Sequence, residues 1–140
     1  MLSKLFQKAK VSALSVIPAS VSPSNQYAKS FGALMCLAVS ADQDFEVNEF
    51  REASIFIESD QILRAEGMTT RAVEYFRGYS NAIKEVMTEG SLDFPSVQTE
   101  LISEVRDCPE EFRGSLRSVI AKLSSVSGDA ERAIFARINL

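Results

Sequence analysis

The sequence contains no histidine and no tryptophan. Without histidine, the commonest general base and the commonest metal ligand are both missing. A Ser-His-Asp or Cys-His arrangement cannot be assembled within one chain. Cysteine is scarce as well. Cys36 and Cys108 are the only two, too few for a disulfide framework or a cysteine-rich zinc site. The six glycines are scattered, so no Walker loop, dinucleotide fingerprint or kinase signature forms. No apolar run approaches the roughly 18–20 residues of a membrane span. Lysine and serine interrupt the first twenty residues and leave no apolar stretch for a secretory signal. Acids are missing from residues 1–41, which hold four lysines. All 19 acids lie in residues 42–140 with the remaining 11 bases, so that part carries −8. An acidic body argues against nucleic acid as a partner, because phosphate contacts need a basic face. These absences lead us to expect a cytoplasmic protein that is not an enzyme and that works by binding protein partners.

What is present is ordinary globular material. Hydrophobic residues make up 46% and charged residues 24%, with nine Phe and three Tyr to fill a core. A chain of 140 residues fits one domain and buries roughly two thirds of its unfolded surface.

The apolar spacing is helical almost throughout. Leu2, Leu5, Phe6, Ala9, Ala13, Val16 and Ile17 make one stripe, with Lys4 and Lys8 opposite. Pro18 ends that helix, and a Pro/Ser-rich linker completes an N-terminal unit over residues 1–22. The stripe can lie on a membrane surface or dock on the bundle or a partner chain through Leu2, Leu5 and Phe6. Its small alanines favour packing.

A helical domain is expected over 23–140. One helix runs from Ser24 or Asn25 to Ala41, with Tyr27, Phe31, Leu34, Met35 and Leu37 on a wide apolar face. Another starts near Glu46 and turns Phe50, Ala53 and Ile57 inward. Asp60 caps a short turn that Gly67 stops. A long helix follows from Thr69 or Thr70 with Ala72, Phe76, Tyr79, Ile83, Val86 and Met87 inward, ending at Gly90. Then come a helix with Val97, Leu101, Ile102 and Val105, and one with Pro109 at N1 that buries Phe112, Leu116, Val119, Ile120, Leu123 and Val126. Gly128 and Asp129 open a last short helix. Alternation never lasts long enough for a strand. The expected fold is therefore all-α, a compact bundle of six to seven helices.

One side-chain cluster stands out. Asp42, Asp44, Glu46, Glu49 and Glu52 cross a loop and enter a helix. Oxygen-rich clusters of this kind can hold calcium or magnesium, and acids also gather at helix starts because the helix dipole favours them. The spacing is not an EF-hand: with Asp42 as position one, Val47 stands at position six and Ala53 at position twelve. Cys36, inside an apolar pattern, reads as a buried thiol. Cys108 lies at a helix start with no feature of a nucleophile beside it.

Residues 34–50, LMCLAVSADQDFEVNEF, resemble the signature of TerB-like domains, named for tellurite-resistance operons. There an apolar helix ends in Ala-Asp-Gly, followed by an apolar residue and then an acid. Ala41, Asp42, Phe45 and Glu49 match that pattern, and the resemblance extends over about residues 28–138. Gln43 replaces the family's Gly, Glu46 replaces its Ser or Thr, and the second loop keeps only Asp129 and Glu131. The resemblance implies an all-α fold of two pseudo-repeated halves. It also implies divalent-cation contact through Asp42, Asp44, Glu46 and Glu49, with Asp129 and Glu131 in a lesser role. It further implies an adaptor in a cytoplasmic stress-response or tellurite-resistance system. Similar domains occur in bacteriophage genomes. The alternative is a structural or assembly protein whose N-terminal helix docks on neighbouring chains.

Overall fold

The computed structural model describes residues 22–41, 47–89 and 94–140, the side chains of residues 86–89 excepted. The described residues form seven helices and no strand: α1 (Pro23–Ser40), α2 (Val47–Ser59), α3 (Gln61–Ala65), α4 (Thr69–Glu89), α5 (Phe94–Arg106), α6 (Glu110–Val126) and α7 (Asp129–Ile138). The all-α bundle expected from the spacing is the fold of this chain. Leu2, Leu5 and Phe6, the loop 42–46, the side chains of Val86 and Met87, and Gly90 lie outside the described residues.

α1 is the axis. Pro23 opens it at N1, where its missing N–H costs nothing, and the Ser22 hydroxyl accepts from the Asn25 amide at 3.1 Å. The spacing predicted one wide apolar face. Instead α1 is buried over most of its surface, by α4 and α5 above all and also by α2, α3, α6 and α7. The reason lies in its small residues. Ala28, Ser30, Gly32, Ala33 and Ser40 are buried along with Phe31, Leu34 and Leu37, and they let neighbouring helices come close. Gly32 marks one such close approach. A Cβ there would stand 2.9 Å from the Phe76 amide nitrogen and 2.9 Å from Tyr75 Cβ.

Several polar groups inside this core are paired across helices. Ser30 donates to the Glu104 carbonyl at 2.9 Å, and Asn25 donates to the Tyr75 hydroxyl at 3.1 Å. Lys29 and Glu104 form an ion pair at 3.1 Å with little of either side chain exposed. These contacts fix the α1–α4–α5 register, since each buried donor left without an acceptor would cost about 1–3 kcal/mol.

The α2–α4 corner follows the sequence signals closely. Asp60 caps α3, accepting from the Leu63 amide at 3.0 Å, and also accepts from the Tyr27 hydroxyl at 3.2 Å. Gly67 leaves the short helix at φ 67°, a conformation that costs an L-residue with a side chain about 1–2 kcal/mol. Two helix edges differ from expectation. Pro109 is the N-cap of α6 and not its first residue. Val126, expected inward, is 79% exposed, because α6 outruns the core at its C-terminal end.

Candidate functional site

α2 and α6 flank α1 without packing substantially on one another. Between them runs a groove. Its wider part, about 520 Å³, is lined from α2 and α3 by Ile55, Phe56, Asp60 and Ile62 and from α6 by Ser115, Val119 and Lys122. A second, narrower recess, about 160 Å³, shares Phe56 with it and lies toward the start of α2 and the end of α6. There Met35, Ala38 and Val39 of α1 form the floor, Leu123, Val126 and Ser127 form one wall, and Glu49, Glu52 and Ala53 form the other. The large hydrophobics exposed among the described residues, Val47, Ile55 and Val126, all stand on the two helices that border this groove.

The local sequence explains the arrangement. α2 presents Ala53 and Ile57 to the core, so Glu49, Glu52 and Phe56 fall one turn apart along the side facing the groove. Glu49 lies in the first turn of α2, where the helix dipole favours a carboxylate. The result is a recess with an apolar floor and an acidic rim. It suits a ligand that combines positive charge with apolar surface.

Of the residues the sequence singles out as cation ligands, Glu49 is half-buried at this recess. Asp42, Asp44 and Glu46 immediately precede α2 in the chain and lie outside the described residues. Asp129 and Glu131 occupy the first turn of α7. Ser127, two residues before Asp129, lines the same recess as Glu49. Asp129 itself points into solvent and pairs with Arg132 at 3.0 Å, as a helix-start acid commonly does. Among the described residues, no group of three or more Cys, Asp or Glu side chains is arranged to hold a metal ion. Glu52, Phe56 and Leu123 complete the recess. The acidic run in the sequence points to Glu52, but no sequence signal marks the other two as more than core.

The cysteines are buried thiols. Burial pushes Cys36 up to about 12, with the neighbouring Ser80 and Ser40 hydroxyls offsetting part of that rise. Burial pushes Cys108 up to about 11, against the opposing pull of Arg113. Neither is a thiolate at neutral pH, so neither has the character of a nucleophile. Tyr27 and Tyr79 are held well above the ordinary phenol range, chiefly by burial, with Asp60 adding to it at Tyr27 and Glu104 at Tyr79. Among the described residues no helix is long and apolar enough to cross a membrane. Comparison with family models, with curated proteins and with solved structures gave no significant match.

Proposed function

We propose that this chain is a non-catalytic helical binding module of the TerB-like kind, built of two pseudo-repeated halves. In this reading it acts as a cytoplasmic adaptor in a stress-response system of the tellurite-resistance type, and it contacts its ligand at the start of α2. The observation that carries the reading is the recess in which Glu49 and Glu52 stand over the apolar floor of α1. Acidic side chains beside apolar surface recognise a protein segment by charge and shape together. The resemblance of residues 34–50 adds a divalent cation, calcium or magnesium, at Asp42, Asp44, Glu46 and Glu49, with Asp129 and Glu131 on the neighbouring helix start. A cation there would offset the clustered negative charge and set the loop's shape for a protein partner.

Thermal unfolding with and without millimolar calcium or magnesium tests this. A cation bound only by the folded chain at a hundredfold excess over Kd adds about 2.7 kcal/mol, several degrees for a domain of this size. The expected result is a raised midpoint that the Asp42→Asn/Asp44→Asn double variant abolishes. An unchanged midpoint at every concentration would remove the cation from the reading.

The exposure of Ile55 and Val126 on the groove favours a second reading, a structural or assembly protein of the phage-encoded kind, that docks on neighbouring chains through its N-terminal helix. Deletion of residues 1–22 should then abolish higher-order association, and unchanged association would exclude it.

A further inference from the structure

We propose that the cleft where α5, the start of α6 and the end of α7 meet binds the phosphate group of a small phosphomonoester. The cleft shares no lining residue with the α2–α6 groove, and the proposal does not rest on the cation reading.

The backbone gathers the donors. Thr99, Ser103 and Arg106 stand at i, i+4 and i+7 along α5, so they share one face of that helix. α7 packs on α5. Asn139 leaves α7 in the left-handed region at φ 46° and lines the same cleft. Arg113, in the first turns of α6, reaches back over the end of α5. Its Nε donates to the Cys108 carbonyl at 3.1 Å and its Nη2 to the Arg106 carbonyl at 3.2 Å. Those two bonds fix the guanidinium plane and leave its other N–H groups for a ligand.

The local charge runs against its surroundings. Residues 42–140 carry −8, yet Arg106 and Arg113 line this cleft, and Arg137 donates to Thr99 at its edge at 3.1 Å. Among the described residues, none of these three guanidiniums has a carboxylate within ion-pair distance. Asp107 and the terminal group of Leu140 are the negative groups in the lining, so positive charge is in excess. Glu110 and Glu111, also in the first turn of α6, do not line the cleft. The side chains of Ser103, Arg106 and Asn139 have no hydrogen-bond partner among the described residues.

The donor set selects the ligand. It comes from three helices and therefore from three directions. A carboxylate is planar, and a single guanidinium fork satisfies both its oxygens. A phosphate dianion offers three acceptor oxygens and takes all three directions at once. The cleft, about 430 Å³, is larger than phosphate alone and falls within the range of small-molecule sites. Ile102 and Leu140 give it an apolar side for the remainder of an ester.

Titration of the full chain with glycerol 2-phosphate at constant ionic strength, followed in nitrogen-15 NMR spectra, tests the proposal. Saturable shifts should gather at Ser103, Arg106, Arg113 and Asn139. Arg106→Gln should weaken binding about tenfold. Arg106 is exposed and its side chain bonds to nothing in the fold, so helicity should be unchanged. Asp107→Asn should tighten binding. Affinity should also fall about tenfold from about pH 7.5 to about pH 5, where the phosphate regains its second proton, and the chain has no histidine to titrate in that range. Shifts that never saturate, or an affinity that Arg106→Gln leaves unchanged, would overturn the proposal. Acetate bound as tightly would overturn the phosphate assignment in favour of a carboxylate. Inorganic phosphate bound as tightly would overturn the ester in favour of the free anion.

Discussion

Replacing Gly32 by alanine sets two opposing effects against each other. In an ordinary helix the change stabilises by about 1 kcal/mol, because alanine loses less backbone freedom on folding. At Gly32 the new Cβ would meet the Phe76 amide nitrogen at 2.9 Å, Tyr75 Cβ at 2.9 Å and the Ala72 carbonyl oxygen at 3.2 Å. Two of these are backbone atoms of α4 and the third is the first atom of a buried side chain, so none can swing aside. α1 and α4 would have to separate by about 0.5 Å along their most extensive contact to restore van der Waals spacing. Overpacking of this kind costs about 2–3 kcal/mol. The net loss is about 1–2 kcal/mol, a fall of about 3–8 °C in midpoint for this size. Thermal unfolding by circular dichroism measures it. Gly114→Ala is the control of opposite sign: it lies exposed in α6 with nothing within 4 Å of the added methyl. Its midpoint should rise. If Gly32→Ala were as stable as Gly114→Ala, the close α1–α4 approach, and the reasoning built on it, would be refuted.

Further expectations follow from other contacts. Asp60→Ala removes the α3 cap and the acceptor of the Tyr27 hydroxyl together and should cost about 2 kcal/mol. Asp60→Asn, which keeps an acceptor, should cost clearly less in the same urea titration. Glu104→Ala leaves the Lys29 ammonium, 16% exposed, without its carboxylate and should cost about 3 kcal/mol. A midpoint within error of wild type would show the pair to be solvated. Both thiols have folded pKa values above the ordinary thiol value, so the folded chain binds more protons than the unfolded one in alkaline solution. Their contribution is complete below the ordinary thiol range and is lost as pH rises through about 11 to about 12. Iodoacetamide at pH 8 should therefore label Cys36 and Cys108 only as fast as the chain opens, and labelling at the rate of a free thiol would contradict their burial.

The helices were legible because their punctuation is chemical. Asp60 as a cap and Gly67 as a stop can be read from residue type alone, and both act as read. The apolar stripe of α5 is legible for the same reason: Val97, Leu101, Ile102 and Val105 are all buried. The surroundings of α1 were not. Periodicity counts apolar residues, and the face closed by Ser30, Gly32 and Ser40 carries few of them, yet close approach is what those residues permit. Val126 fails in the opposite sense: its spacing continues the α6 stripe after the core beneath has ended. The site was half legible. An acidic run points to Glu49 and Glu52, whereas the apolar floor beneath them depends on how far apart α2 and α6 lie, which no local pattern encodes.

The central claim is that the start of α2 is a ligand-binding face. A calcium or magnesium titration of the full chain, followed amide by amide in nitrogen-15 NMR spectra, tests it most directly. The account predicts saturable shifts concentrated at Glu49, Glu52 and Ala53 and at Val126 and Ser127 across the recess, lost in Asp42→Asn/Asp44→Asn. Shifts that never saturate, or that spread evenly over exposed acids away from this face such as Glu66 and Glu110, would contradict it.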